Sequence, residues 1–354
     1  MNYTPSHSSP KNELLQEIVD LRSDTVTRPS RAMLAYMSKA KVGDDVYGDD
    51  PSVNELQEKV ANLLSKEAGL FVSSGTQSNF CAILSHCQRG EELLTGDSYH
   101  VFCDEAGGAS VLGSIMMGPL KTNSDGSISV KEIMKAKKPD DSHCPITKLL
   151  SLENTVQGKV QSLEQINNCA AVAKRLGLSV HMDGARLMNA SVKLNIPAKE
   201  IVSKVDSVSL CLSKGLGAPV GSVLVGSKEF IKRAHRIRKL AGGGLRQSGF
   251  LASAGLFALE NNVERLVADH KNAIYLAERL AEIPQLKVNP LEVQTNMVFF
   301  SIANRILPKL KKYLLNHGIF INADFTPVRL VTHLDLDTRK IDRFVCTLQS
   351  FFSR

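Results

Sequence analysis

Short apolar segments alternate with amphipathic segments along residues 15 to 260 of this chain. The apolar runs are typical of strands, and each is followed by a stretch with helical spacing or by a glycine-rich loop. The clearest pairs are LFVSS with TQSNFCAILSHCQ, TKLLSLEN with LEQINNCAAVAKRLG, LSVHMDG with ARLMNASVKL, and DSVSLCLS with a glycine loop. This alternation predicts an α/β fold with a mainly parallel sheet covered by helices on both faces.

The pattern changes near residue 260, where ENNVERLVADHKNAIYLAERLAEI predicts one long amphipathic helix over 260–283. Beyond it, TNMVFFSI and VRLVTHL are typical of strands, and ILPKLKKYLLNHG is typical of an intervening helix. This order predicts a smaller α+β domain. We therefore predict a polar tail over 1–17, a large domain over 18–261 and a small C-terminal domain over 262–354.

Composition narrows the classes of function. With 43% hydrophobic and 22% charged residues, the 354-residue chain has the composition of a soluble globular protein. The net charge of +7 is modest, and the densest basic run, KRAHRIRK, is not interleaved with aromatic residues, which disfavours a nucleic-acid partner. No run approaches the ~20 apolar residues of a membrane span. The seven cysteines form no CxxC pair. We expect reduced thiols, a cytoplasmic location and no membrane partner.

The segment VSSGTQSN places Gly75 and hydroxyl residues at the start of a predicted helix. Free N–H groups and the helix dipole bind anions at such a place, and a glycine allows close approach. Ser74 or Thr76 can equally be a plain N-cap, so both interpretations stay open for this segment alone. The segment matches neither the GxGxxG fingerprint nor the Walker pattern, which disfavours a nucleotide.

Two further polar residues follow apolar strands. Asp183 ends LSVHMDG and Lys214 ends DSVSLCLS, with room for one helix and one strand between them. Each has an ordinary alternative, since Asp183 can cap a helix and pair with Arg186, and most lysines are exposed. Together with the Gly75 segment they would meet at one edge of the sheet. Pyridoxal phosphate (PLP) has a phosphate, a ring nitrogen and an aldehyde that would use all three groups.

Seven segments resemble the threonine aldolase family, in the family's order: VDLRSDTVTRPS, GDDVYGDDPSV, SGTQSN, HMDGARL, SLCLSKGLGAPVGS, GGGLRQSG and RLVTHL. They extend over about residues 18–340. The resemblance implies a fold-type-I, PLP-dependent lyase that cleaves L-threonine or L-allo-threonine to glycine and acetaldehyde. It also implies a small amino acid as substrate, active sites shared across a dimer, pairing of dimers into a homotetramer, and a role in threonine breakdown and glycine formation.

The resemblance further implies a role for each matching residue. Lys214 would bind PLP as a Schiff base, Asp183 would hold the proton of the ring nitrogen, and His100 would stack on the ring. The other residues implied in binding the cofactor are Gly75 and Thr76 at the phosphate, Arg246 and Lys239 from a neighbouring subunit, and Arg186. The residues implied in binding the substrate are Ser23, Arg186 and Arg329 at its carboxylate and Tyr47 across the dimer interface. No metal is expected, because His181 and Asp183 alone are too few ligands.

One position departs from the family pattern. The family commonly has a histidine after ENT that contacts the substrate β-hydroxyl, and here that position is Val156. Because valine cannot exchange a proton, the hydroxyl proton would pass to His100 or to water. The alternative is a related PLP lyase that acts on another amino acid by β-elimination or side-chain cleavage. A nonenzymatic protein is disfavoured because Lys214 and Asp183 are both present, and an NAD-dependent dehydrogenase is disfavoured by the missing glycine fingerprint.

Overall fold

The structure, a computed structural model, describes residues 18–353, and the predicted tail over 1–17 lies outside them. The strands are β1 (Val19–Asp20), β2 (Ala68–Val72), β3 (Glu92–Gly96), β4 (Met116–Leu120), β5 (Thr147–Glu153), β6 (Ser179–Gly184), β7 (Ser207–Cys211), β8 (Ser222–Gly226), β9 (Lys287–Val288), β10 (Met297–Ser301), β11 (Ile319–Phe320) and β12 (Val328–Val331). The α-helices are α1 (Arg31–Met37), α2 (Pro51–Leu63), α3 (Gly75–His86), α4 (His100–Cys103), α5 (Gly108–Val111), α6 (Val130–Ala136), α7 (Leu163–Arg175), α8 (Leu187–Leu194), α9 (Ala198–Ile201), α10 (Lys228–Leu240), α11 (Gly249–Asn261), α12 (Leu266–Ala281), α13 (Leu307–Asn316) and α14 (Thr338–Phe352).

The described residues form two compact units. The larger contains residues 28–264, and the smaller contains residues 265–353 together with 18–27. This division differs from the sequence-based one, which placed 18–27 in the large domain. The N-terminal segment belongs to the smaller unit because β1 pairs in parallel with β11, with Val19 opposite Ile319.

The larger unit is built on a seven-stranded sheet with the order β2-β8-β7-β6-β5-β3-β4. The neighbours from β7 to β4 are parallel, whereas β8 runs antiparallel between β2 and β7. Strands β3, β7 and β8 are buried along their whole length, as expected for a sheet with helices on both faces. The predicted mainly parallel α/β fold is therefore confirmed.

The strand register brings several polar positions to one edge of this sheet. Carboxyl ends of parallel strands share an edge, and there Glu153 of β5 lies opposite Asp183 of β6, which lies opposite Ser209 of β7. Because β8 is antiparallel, its first residue reaches the same edge, with Ser222 opposite Cys211. The edge therefore collects side chains from four strands.

The smaller unit has an antiparallel sheet with the order β12-β10-β9 and the helices α12, α13 and α14. Its apolar core includes Leu276, Phe300 and Phe344. The long amphipathic helix predicted over 260–283 is present as α12, but it starts later than predicted, because α11 ends at Asn261 and α12 begins only at Leu266. The Asn262 side chain donates a hydrogen bond to the Leu216 carbonyl at 2.6 Å, which fixes the chain in a non-helical turn.

Two chemical properties of the chain follow from the structure. All seven cysteines are free thiols, and Cys81, Cys87, Cys169 and Cys211 are buried. Within residues 18–353, no helix combines the length and apolar character needed to cross a bilayer.

Candidate active site

Lys214 lies in a tight turn between β7 and β8. The Leu212 N–H donates to the Gly221 carbonyl at 3.0 Å, and the Gly217 N–H donates to the Lys214 carbonyl at 2.8 Å. Gly217 and Gly221 have φ values of 77° and 104°, which residues with a side chain rarely adopt. A side chain at Gly221 would also collide with the ring of Phe71. The turn therefore holds the backbone of Lys214 at the sheet edge, with its side chain half-buried.

Asp183 is the last residue but one of β6 and is 3% exposed. Its Oδ1 accepts a hydrogen bond from the Ala185 N–H at 2.9 Å, and its Oδ2 accepts one from the Asn79 side-chain amide at 2.8 Å. The two donors hold the Asp183 side chain in one orientation at the sheet edge.

His100 begins α4 beside the buried carboxylate of Glu105 and the half-buried carboxylate of Glu153. Its Nδ1 lies 2.9 Å from Oε1 of Glu105, and its backbone N–H donates to Oε2 of Glu153 at 2.7 Å. His100, Glu105 and Asp183 each place one atom that could bind a metal within 4.8 Å of the other two. The hydrogen bond that His100 donates to Glu105 raises the pKa of His100, because it stabilises the imidazolium. A histidine and two carboxylates can also bind a metal, but here the shared Glu105 oxygen already accepts hydrogen bonds from His100 and Asn79.

The charge of Lys214 acts on this cluster. The pKa of Glu153 is raised to about 8, chiefly by burial and next by the charge of Asp183, while the charge of Lys214 acts to lower it. The pKa of His100 is also lowered by Lys214, against the larger effect of Glu105. Lys214 is therefore within electrostatic range of His100 and Glu153, as the sequence-based prediction of a common edge requires.

Glu153→Gln is expected to stabilise the protein increasingly as pH rises from about 5 to about 8. Below its folded pKa, Glu153 is neutral and glutamine matches it in shape. Because the folded pKa is raised above the unfolded value, the wild type loses stability as pH rises through that range. The difference in unfolding free energy should grow by about 2–4 kcal/mol in favour of Glu153→Gln. Urea denaturation at pH 5, 7 and 8.5 measures it, and a difference independent of pH would contradict a neutral Glu153.

The start of α3 can hold an anion. The first N–H groups of a helix have no acceptor within it. A side chain at Gly75 would meet only the Ser222 hydroxyl, at 3.8 Å, so the space before the helix is open. Among the described residues, the buried Ser222 hydroxyl has no hydrogen-bond partner. The N–H groups at the start of α3, the open space before them and the Ser222 hydroxyl together fit a phosphate. With the amine of Lys214 and the carboxylate of Asp183, these groups fit PLP.

Arg246, Lys239 and Tyr47 occur together at a second place in the larger unit. The Asp45 N–H donates to the Arg246 carbonyl at 3.1 Å, and the Arg246 guanidinium pairs with Asp44 at 3.0 Å. Tyr47 is 77% exposed on the same loop, and the Lys239 ammonium lies against the backbone of residue 244. These three residues therefore sit on one pair of joined loops, residues 43–50 and 239–249.

The joined loops are anchored by buried contacts. Asp50 accepts hydrogen bonds from the N–H groups of Gly43 at 3.2 Å and Gly249 at 2.8 Å. A side chain at Gly243 would collide with the Gln77 side chain in the first turn of α3. The loops thus pack next to the anion cradle, while Arg246 is held by Asp44.

The remaining predicted residues lie on other elements. Arg186 immediately precedes α8. Ser23 and Arg329 belong to the smaller unit, where the Val331 N–H donates to the Leu21 carbonyl at 3.0 Å and so joins their two segments. The predicted roles of these three residues at a substrate carboxylate stay predictions.

Val156 is a packing residue in the structure. It is 2% exposed, and a side chain at Gly126 would lie 2.7 Å from its Cβ. The carbonyl of Gly126 also accepts a hydrogen bond from the Tyr99 hydroxyl at 3.0 Å, which closes this loop. The valine side chain therefore faces the backbone of Gly126, and its presence gives no reason to favour the alternative reaction.

Sequence reasoning missed four residues at this edge: Asn79, Glu105, Glu153 and Ser222. A signal existed for Asn79, which stands four residues after Gly75 and therefore on the same helix face. Glu153 ends an apolar strand, as Asp183 does. Glu105 and Ser222 carry no local signal, because only the fold brings them to the site.

Comparison with known protein families gives one extended match. Residues 20–303 match the model of the beta-eliminating lyase family.

Curated relatives are similar over nearly their whole lengths. The chain is 48% identical to the low specificity L-threonine aldolase of Escherichia coli, over 95% of this chain and 100% of the relative. It is 37% identical to the low specificity L-threonine aldolase of Saccharomyces cerevisiae, over 94% of this chain and 86% of the relative.

Solved structures share the fold at lower identity. A threonine aldolase of Leishmania major superposes with a TM-score of 0.80 at 21% identity, covering 94% of this chain and 99% of that one. A serine palmitoyltransferase of Sphingomonas wittichii gives a TM-score of 0.73 at 17% identity, covering 94% and 86%. These likenesses show the fold alone.

Proposed function

The chain belongs to the beta-eliminating lyase family, alongside the low-specificity L-threonine aldolases, and we propose that it cleaves L-threonine and L-allo-threonine to glycine and acetaldehyde. It is a PLP-dependent lyase. The observation that carries the proposal is the convergence of Lys214, Asp183 and His100 at the sheet edge beside the Gly75 cradle. The 48% identity to the Escherichia coli relative supports the substrate class.

The residues of the larger unit have distinct tasks toward the cofactor. When bound, PLP supplies an aldehyde for an amine and a protonated ring that withdraws electrons from the bond broken at the substrate Cα. Lys214 supplies the amine that attaches the cofactor covalently. Asp183, whose side chain is oriented by two hydrogen-bond donors, would hold the proton at the ring nitrogen. The N–H groups of Gly75 and Thr76 and the Ser222 hydroxyl bind the phosphate.

His100 is placed to move the proton of the substrate hydroxyl. Its Nδ1 is bound to Glu105, which leaves Nε2 to accept a proton when the ring is neutral. Bidentate arginine suits a planar carboxylate, and Arg186 and Arg329, with Ser23, are our candidates for fixing which substrate bond is broken.

The products test the reaction. The purified protein with PLP is incubated with L-threonine or L-allo-threonine, and glycine, acetaldehyde, ammonia and 2-oxo acids are measured separately. Aldol cleavage gives glycine and acetaldehyde in equal amounts. Ammonia with a 2-oxo acid would indicate β-elimination, and no product from either isomer would overturn the proposed function.

We further propose that two copies of the chain share each active site as a dimer. Two such dimers pair into a homotetramer in the cytoplasm, where the enzyme forms glycine from threonine. The exposed Tyr47 and the loop that carries Arg246 support a shared site, because both present functional groups at the surface of the protomer. Light scattering after size exclusion measures the subunit number.

Mixing Lys214→Ala with Arg246→Ala is expected to restore activity. If Arg246 acts in the neighbouring subunit, a hybrid dimer has one site with both residues intact. Random reassociation of equal amounts should then give about one quarter of wild-type activity per site. Each variant refolded alone is the control. A mixture no more active than its two components would show that Arg246 does not act across subunits.

A further inference from the structure

Asn79 of α3 contacts two carboxylates that lie on different elements. Its amide nitrogen is 2.8 Å from Oδ2 of Asp183 and 2.8 Å from Oε1 of Glu105, and the residue is 1% exposed. We propose that Asn79 is a positioning residue whose single amide group fixes the partner of the cofactor ring nitrogen and the partner of His100 together. The inference rests on the proposed function, which assigns the tasks of Asp183 and His100.

The neighbours of Asn79 determine the orientation of its amide. Ionised carboxylates only accept hydrogen bonds, so the nitrogen of Asn79 faces Asp183 and Glu105 and its oxygen faces Nε2 of His181 at 3.1 Å. Burial lowers the pKa of His181 to about 4, so its ring carries one proton at neutral pH. That proton is on Nε2 and is donated to Asn79.

The hydrogen bonds continue from His181 to Ser207 and His86, farther from the site. With its proton on Nε2, His181 accepts at Nδ1 from the Ser207 hydroxyl, at 2.9 Å. The Ser207 oxygen lies 2.7 Å from Nε2 of His86, whose pKa burial lowers to about 3. Neutral His86 therefore donates to Ser207. Each donor in this buried series of hydrogen bonds, from His86 through Ser207 and His181 to Asn79, donates in the direction of the two carboxylates. Asn79 is the last donor of the series, and it donates to both of them.

The two carboxylates need a common donor because they are close together. Burial raises the pKa of Glu105, the charge of Asp183 raises it further, and the hydrogen bonds from His100 and Asn79 lower it. Without the Asn79 amide, Glu105 takes up a proton more readily. His100 then loses an ionised partner, and Asp183 loses one of its two donors. One side chain thus controls the charge at two places in the site.

Asn79→Leu and Asn79→Asp test the proposal in the holoenzyme. Leucine keeps the volume but removes both hydrogen-bonding groups. Aspartate keeps the shape but adds a third carboxylate at high pH, whereas at low pH it can bind a proton and donate again. Ser78→Ala is the matched control, because Ser78 is the adjacent buried residue of α3 and its hydroxyl is hydrogen-bonded to the Ser209 hydroxyl, at 2.7 Å, and to neither carboxylate.

Two readouts distinguish positioning from general support of the core. The first is the dissociation constant of PLP, expected to rise about 10-fold or more in Asn79→Leu. The second is the pKa of His100, followed by NMR of histidine-labelled protein and assigned with His100→Gln, and expected to fall in Asn79→Leu. Ser78→Ala should match the wild type in both. A folded Asn79→Leu with unchanged values, or equal changes in Ser78→Ala, would overturn the proposal.

If Asn79→Leu does not fold, Asn79→Asp tests the positioning role of Asn79. Its loss of PLP affinity relative to the wild type should be larger at pH 8 than at pH 6, and an equal loss at both overturns the inference. Neither readout uses threonine. Absence of threonine cleavage with these results intact would therefore reject the proposed reaction and leave the positioning role standing.

Discussion

Lys214→Ala is expected to abolish threonine cleavage, with kcat/KM lower by about 1,000-fold or more. The turn after β7 presents a single amine at the edge where Asp183 and His100 also lie, and no other side chain of the turn can form a Schiff base with an aldehyde. Borohydride reduction followed by peptide mass analysis should find the cofactor on the Lys214 peptide of the wild type. The variant should carry none there.

Two further variants separate covalent bonding from charge and from general damage. Lys214→Arg keeps the positive charge that acts on His100 and Glu153 but has no nucleophilic amine at neutral pH, so it should be as inactive as the alanine variant. Lys193→Ala, an exposed lysine of α8, should keep wild-type activity. A Lys214→Ala protein that cleaves threonine at near the wild-type rate would reject Lys214 as the attachment residue.

Local sequence signals were enough for most elements of the larger unit. Strands β6 and β7 lie within the two segments that the sequence predicts as strands, LSVHMDG and DSVSLCLS. Helix α3 begins directly after Ser74, whose hydroxyl caps the helix by accepting from the Gln77 N–H at 3.1 Å. Each of these boundaries depends on residues within a few positions of it. The mainly parallel sheet followed from their alternation.

The features that sequence reasoning missed depend on contacts between distant segments. Asn79 and Asp183 are 104 residues apart in sequence, and they meet only because α3 packs on the sheet. The antiparallel β8, which brings Ser222 to the cradle, also has no local signature. Similarly, residues 18–27 join the smaller unit through the pairing of β1 with β11, which no local pattern could indicate.

Val156 shows why one departure from a family motif says little about the reaction. Judged from the sequence alone, valine at this position removes a proton acceptor from the site. In the structure its side chain is buried and packs against Gly126. A residue type at a motif position is informative only once the direction of its side chain is known.

Asp183→Asn is expected to lower kcat/KM by about 100- to 10,000-fold while the cofactor stays attached to Lys214. Both Asp183 oxygens accept hydrogen bonds, from Ala185 and Asn79, so an amide must turn its NH2 group toward one of these donors. It also carries no charge to hold a proton at the ring nitrogen. Steady-state kinetics measures the first effect, and borohydride trapping at Lys214 measures the second.

Glu153→Gln is the matched control, because Glu153 lies opposite Asp183 in the strand register and its half-buried carboxyl group stands at the same edge of the sheet. Its raised pKa means that glutamine replaces a neutral group, so its kcat/KM at pH 7 should stay within about 3-fold of the wild type. A large loss of kcat/KM in Asp183→Asn beside a small loss in Glu153→Gln would show that the site requires the charge of Asp183 in particular. Equal losses of kcat/KM in both variants would show that the edge tolerates no change of either side chain. That result would contradict a specific role for the charge of Asp183.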